Sequence, residues 1–256
     1  MALAVQDQTN FMRIYFIITI LSLSLSSYAQ DHPFYSINDP KIKENLNKVD
    51  PKEYQNTFFN GLRFKIVGDT DKALEKFSDC IRMNGQEAAP MYESAILYFN
   101  MGQLDQALFF IESACKLEPK NKWYQELMAT IFLENGQYNK AISSFKKLLE
   151  IEPSNKDWNI ELASAYLLNN QPRSAIKVYD NLQKYIGLNA MLFQQKKQIY
   201  LEIGDRQAAI EEVESWVEAE PKNLEAINEL SQLYLLSGKQ IKAIQTLEKS
   251  LEIKND

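Results

Sequence analysis

Few side chains in this chain are suited to chemistry. His32 is the one histidine in 256 residues, and Cys80 and Cys115 are the only cysteines. General acid-base and nucleophilic mechanisms recruit His, or a Ser, Cys or Lys held beside a base. His32 stands outside the repeated part of the chain described below. Carboxylate clusters such as Glu211-Glu212 and Glu218 to Glu220 read as solvated helix faces, because neighbours on a helix do not point at a common centre. The glycines are single and widely spaced, so no phosphate-cradling loop can be assembled from them. Cys80 and Cys115 are expected to be small buried hydrophobes. A bridge between them, open to an exported protein, needs Cα atoms within roughly 7 Å, whereas packed helix axes lie about 8–10 Å apart. The expectation is no enzyme, no metal and no cofactor.

The informative pattern is a lattice. Alanine stands at Ala73, Ala107, Ala141, Ala175, Ala209 and Ala243, each 34 residues after the last. An aromatic leads each alanine by nine: Phe64, Tyr98, Phe132, Tyr166, Tyr200 and Tyr234. Gly68, Gly102, Gly136, Gly204 and Gly238 stand five residues before their alanines, with Asn170 in the remaining unit. Glycine and then asparagine are the residues that best tolerate positive φ at a helix end. The reading is a pair of short helices per unit, joined by a tight turn. The lattice alanine sits where the second helix approaches the first, and a leucine there would overpack by about 1–3 kcal/mol. Gly61, Ala95, Ala129 and Ala163 supply a small residue on the first helix, a pattern that Lys197 and Ser231 break. Pro119, Pro153 and Pro221 end second helices, as Gly85 and Gly187 end two others, and Asn121, Asn155 and Asn223 are placed to cap the helices that follow. One such pair buries a single face, so stability must come from stacking.

The predicted fold is all-α: a right-handed helical-repeat solenoid over residues 51–256, with units at about 54–87, 88–121, 122–155, 156–189, 190–223 and 224–256. Before it, residues 30–50 read as a polar lead and a short helical flap carrying Ile42, Leu46 and Val49. Residues 1–29 read as a signal peptide: Arg13 precedes an apolar run from Ile14 to Leu25, and Ser27-Tyr28-Ala29 suits cleavage before Gln30. Met1 to Phe11 carry Asp7 and no basic residue, so translation is expected to start at Met12. The apolar run falls short of the roughly 20 residues needed to span a bilayer, so no membrane span is expected after cleavage. A net charge of −6 with no basic stripe argues against a nucleic-acid partner.

The aromatic, glycine and alanine positions resemble the tetratricopeptide repeat family over about residues 54–256. Phe77, Ile111, Phe145, Tyr179, Val213 and Leu247, four residues after each alanine, strengthen the likeness. The family's common first-helix tryptophan is replaced by Thr57, Met91, Gln125, Asn159, Phe193 and Ile227. The resemblance implies a non-enzymatic binding scaffold whose first helices line a concave groove. Carried over position by position, the family pattern places Phe58, Leu62, Tyr92, Ile96, Phe99 and Trp123 in that groove. Asp157, Ser164, Gln194, Gln198, Glu225, Asn228 and Gln232 follow in the later units. An apolar end joined to an amide-rich, mildly acidic end would suit a peptide with an apolar anchor and a polar or basic tail. Packing of the same aromatics within the superhelix is the alternative. The family's carboxylate-clamping branch is not matched, since Glu93 and Leu127 stand where it uses cationic and amide residues. Lys196 and Lys197 form the one basic pair near the inner helices, with Lys197 expected to snorkel at a loosened joint.

The expected function is a protein- or peptide-binding adaptor exported to the periplasm or cell envelope of a Gram-negative bacterium. Two alternatives stand beside it: a structural or sensory module of a larger envelope assembly, and a periplasmic assembly chaperone. Ile244, Leu251 and Ile253 would cover a following unit, which points to an assembly edge used for self-association, for a partner, or for the next unit of a longer repeat protein.

Overall fold

In the computed structural model residues 50–255 are described, and they form helices joined by short turns, with no strand among them. The expected signal peptide, Met12 start and N-terminal flap lie outside the described residues. The helices pair in chain order: α1 (Pro51–Ile66) with α2 (Thr70–Met83), α3 (Ala88–Asn100) with α4 (Leu104–Leu117), and α5 (Lys122–Glu134) with α6 (Tyr138–Ile151). The array continues with α7 (Lys156–Leu168) and α8 (Pro172–Ile186), α9 (Ala190–Glu202) and α10 (Arg206–Ala219), and α11 (Leu224–Leu236) and α12 (Gln240–Asn255). Each helix packs against its neighbours in sequence, the arrangement of an α-solenoid.

One hydrogen-bonding device closes every hairpin. Gly68, Gly102, Gly136, Gly204 and Gly238 take φ between 70° and 79°, and Asn170, at φ 56°, is the one non-glycine with positive φ among the described residues. This left-handed residue turns the next N–H back onto the helix. Gln137 N donates to Phe132 O at 2.8 Å and Gln171 N to Tyr166 O at 2.8 Å. The acceptors in all six turns are the carbonyls of Phe64, Tyr98, Phe132, Tyr166, Tyr200 and Tyr234, the aromatics of the lattice. Those residues therefore occupy a fixed turn position as well as packing their rings.

The small residues sit where backbones close. All six lattice alanines are fully buried. At Gly61 a Cβ would fall 2.6 Å from Cε1 of Phe77, so the ring that follows the alanine by four fills the space that a side chain at residue 61 would need. Asn121, Asn155 and Asn223 cap as expected, accepting from Trp123 N, Trp158 N and Glu225 N. Asn189 does the same for α9, accepting from Met191 N at 3.0 Å.

The core is divided along the array. A continuous cluster runs from Ile81 to Ile199, a smaller one at the start joins Ala73, Phe77 and Leu97, and a third holds Phe193, Val213, Trp216 and Leu230. In the third, Phe193 stacks on Trp216 with ring centroids 5.7 Å apart. Cys80 and Cys115 are buried and free, and burial pushes their thiols up to about 12 and about 11. Both are protonated at neutral pH and poor nucleophiles.

Candidate functional site

The first helices, α1, α3, α5, α7, α9 and α11, lie side by side along one face of the array, stitched by polar contacts between successive units. Lys65 Nζ is 2.5 Å from Glu93 Oε2, joining α1 to α3. Trp158 Nε1 donates to Glu126 Oε1 at 2.8 Å, joining α7 to α5. Gln194 Nε2 donates to Glu225 Oε1 at 2.6 Å, and Lys197 Nζ to Glu229 Oε2 at 2.7 Å, joining α9 to α11. These pairs fix the spacing between units and engage several of the face's carboxylates.

The expected groove residues divide by exposure. Trp123 is 60% exposed, with Lys122 Nζ 5.2 Å from the centre of its ring. Phe58 is half-buried with its ring 5.8 Å from that of Phe77, and Leu62 packs on the same cluster. Tyr92 lies with its ring tilted 32° to that of Tyr124 and 4.7 Å from it, Phe99 leans on the main core, and Ile96 is half-buried. These five form the floor of the face and Trp123 rises from it. Phe59, 64% exposed, and Ile66, 84% exposed, also project from α1. Neither is among the groove positions that the family pattern places on α1, Phe58 and Leu62. Seven residues separate Phe59 from Ile66, two helical turns, and that spacing was the available signal.

Further along the face, Asp157 and Gln232 are exposed, Ser164 is half-buried, and Gln198 Nε2 donates to Glu202 Oε1 at 2.9 Å. Burial raises the Glu161 carboxyl above its ordinary range, and Glu134 and Asp157 raise it further. The middle of the face is thus acidic, next to an exposed indole.

Two charged positions differ from expectation. Glu212 is no solvated surface group: its side chain is 12% exposed and its Oε1 lies 2.7 Å from Lys196 Nζ. Glu211 beside it is exposed, so the two carboxylates do diverge. Lys197, expected to snorkel, ends on Glu229, and it is Lys196 that sinks into the joint, with its side chain 5% exposed. Its Nζ also donates to Asp180 Oδ1 and Gln183 Oε1, both at 3.0 Å. Burial lowers its ammonium, but these acceptors outweigh it and hold the group above the usual lysine range, charged at neutral pH.

The C-terminal helix carries a second candidate surface. Ile244 is 57% and Leu251 61% exposed, Ile253 is half-buried, and Ile241 and Leu247 extend the apolar area. Among the described residues no group of His, Cys, Asp and Glu is arranged to hold a metal ion, and no helix is long and apolar enough to cross a membrane.

The chain belongs to the tetratricopeptide repeat family: models of that description match residues 67–131, 132–187 and 224–256. Its members are in general protein-interaction scaffolds rather than enzymes. No curated protein matches the chain. Among solved structures, a tetratricopeptide repeat protein from Parabacteroides merdae is 16% identical with a TM-score of 0.52, over 83% of this chain and 84% of that one. A chain of the Naa15/Naa10 assembly bound to HypK-THB is 17% identical with a TM-score of 0.57, over 84% of this chain and 35% of that one. YrrB, described as a TPR protein with an unusual peptide-binding site, is 21% identical with a TM-score of 0.48, over 72% and 95%. At these identities the likeness is one of fold.

Proposed function

We propose that this protein is a non-enzymatic scaffold of the cell envelope that holds a protein or peptide along its first-helix face. The observation that carries the reading is the set of apolar side chains left in solvent on the first helices: Trp123 of α5 at 60%, and Phe59 and Ile66 of α1 at 64% and 84% exposed. Large apolar groups raised above a packed floor are the usual anchors of a binding surface. The acidic middle, with Asp157 and Glu161, favours a partner whose basic residues follow its apolar anchor. Export rests on the signal-like pattern of residues 13–29. Sequencing the N-terminus of protein recovered from a fractionated cell tests it, with Gln30 as the expected first residue.

The binding test is capture from solubilised envelope with the parent chain beside Phe59→Ser, Ile66→Ser, Trp123→Ala. All three side chains are exposed, so folding should survive. A partner held by the parent and lost from the variant supports the reading, and one retained equally by both overturns it. A second reading, assembly through the C-terminal edge, is favoured by the exposure of Ile244 and Leu251. Leu251→Asp would then shift the sedimentation of the assembly and leave groove binding unchanged.

A further inference from the structure

The second helices frame a slot that the first-helix reading does not use. It has a volume of about 580 Å³ and lies between α6 and α8, with α7 beneath. One wall is a single stripe of α8 from Ser174 to Tyr185, roughly 16 Å long at 1.5 Å per residue. The facing wall carries Lys146 and Glu150, and the lining joins the buried Leu162 and Val178 to the half-buried Leu149 and the exposed Pro153, which leave apolar surface open to a ligand.

Its charge is opposite to that of the molecule. Lys146, Lys177 and Lys184 are exposed on the lining, and Glu150 is the one acid there. None of the three lysines has a carboxylate partner among the described residues: Lys146 Nζ lies 5.5 Å over the Tyr166 ring, and Lys184 Nζ donates to Asn181 Oδ1 at 2.9 Å. Lys65, Lys76, Lys122 and Lys197, in contrast, each end on a carboxylate. In a chain of net charge −6, an acidic partner is repelled by most of the surface and attracted here. Tyr185, 59% exposed at the end of the stripe, adds an aromatic edge able to bury against a ligand.

We propose that this slot binds an acidic amphipathic peptide segment of a partner protein, its carboxylates on Lys146, Lys177 and Lys184 and its apolar side chains on the apolar lining. The stripe is long enough for about three turns of helix. The site is separate from the first-helix face, so the two can be occupied together.

The test is fluorescence anisotropy of the full chain with a labelled synthetic peptide of repeated Leu-Glu-Glu. It should bind, with repeated Ser-Glu-Glu weaker by at least about tenfold because it leaves the apolar lining uncovered. Lys146→Glu, Lys177→Glu, Lys184→Glu should weaken the Leu-Glu-Glu peptide by at least about tenfold and flatten its salt dependence. Reversal at the exposed Lys116, Lys120 and Lys222 should leave it unchanged, as should Phe59→Ser with Trp123→Ala, which separates this site from the first-helix reading. Failure of the parent to bind, or an equal loss from either control, overturns the proposal. On the unaltered protein, carbodiimide coupling should join peptide carboxylates to Lys146, Lys177 or Lys184. Coupling spread over lysines elsewhere overturns it independently of how the variants fold.

Discussion

Lys196 is held by acceptors on two other helices, Asp180 and Gln183 on α8 and Glu212 on α10, with Glu212 2.7 Å from its Nζ. A buried pair contributes little over an apolar pair of similar volume, but removing one member strands the other charge. Lys196→Met should therefore cost about 3–5 kcal/mol, and adding Glu212→Leu should recover most of it. Urea denaturation of the two single variants and the double variant reads the coupling, and additive losses would show that the pair does not interact. Glu161 carries a different linkage. Its carboxyl is raised by burial and by Glu134 and Asp157, so the folded state binds a proton more readily than the unfolded chain. Charged Glu161 therefore disfavours folding at neutral pH, and stability from this group returns as pH falls through its raised pKa. Glu161→Gln should raise Tm at pH 7, with the gain shrinking toward acid. A constant gain across pH would contradict this account.

At the level of the helix pair, the turn decides more than the helices do. Five of the six turns put glycine at the left-handed residue, and Asn170 sits there at φ 56°. A side chain in that region costs roughly 1–2 kcal/mol, less for asparagine. Asn170→Gly should stabilise the protein by roughly 1 kcal/mol or less, and Asn170→Val should destabilise it by about 1–2 kcal/mol, both read by thermal melting. The same constraint made this part of the fold legible, because few residues tolerate positive φ and only small ones fit between the helices of a pair. Phe58 and Phe59 were harder to tell apart. Neighbours on a helix point about 100° apart, so an offset of one residue exchanges a half-buried ring for an exposed one. Lys196 gave no local signal at all. Its depth depends on Asp180, Gln183 and Glu212, each 13 to 16 residues away and on another helix.

Across the whole molecule, a stack in which each helix meets its neighbours in sequence has no common centre, so stability varies along its length. The unbroken cluster from Ile81 to Ile199 spans the middle units, and the cluster around Trp216 serves the last two. Among the described residues of α12, Ala243 and Thr246 alone are buried, whereas Ile241, Ile244, Leu247 and Leu251 are exposed. Helix propensity alone stabilises a segment of this length marginally, so α12 depends on its packing against α11, its one substantial neighbour among the described residues. Amide exchange should therefore be fastest in α12 and slowest in α5 to α7, where Ile131, Phe145 and Ala163 are fully buried. Any molecule that covers the exposed side of α12 should slow its exchange with little change in α5 to α7, because each unit transmits stability mainly to the next. Mass-spectrometric exchange, with and without a captured partner, checks both statements. Protection confined to α1, α3 and α5 would mark the first-helix face as occupied, protection confined to α12 would mark the edge, and uniform exchange along the array would refute a graded stack.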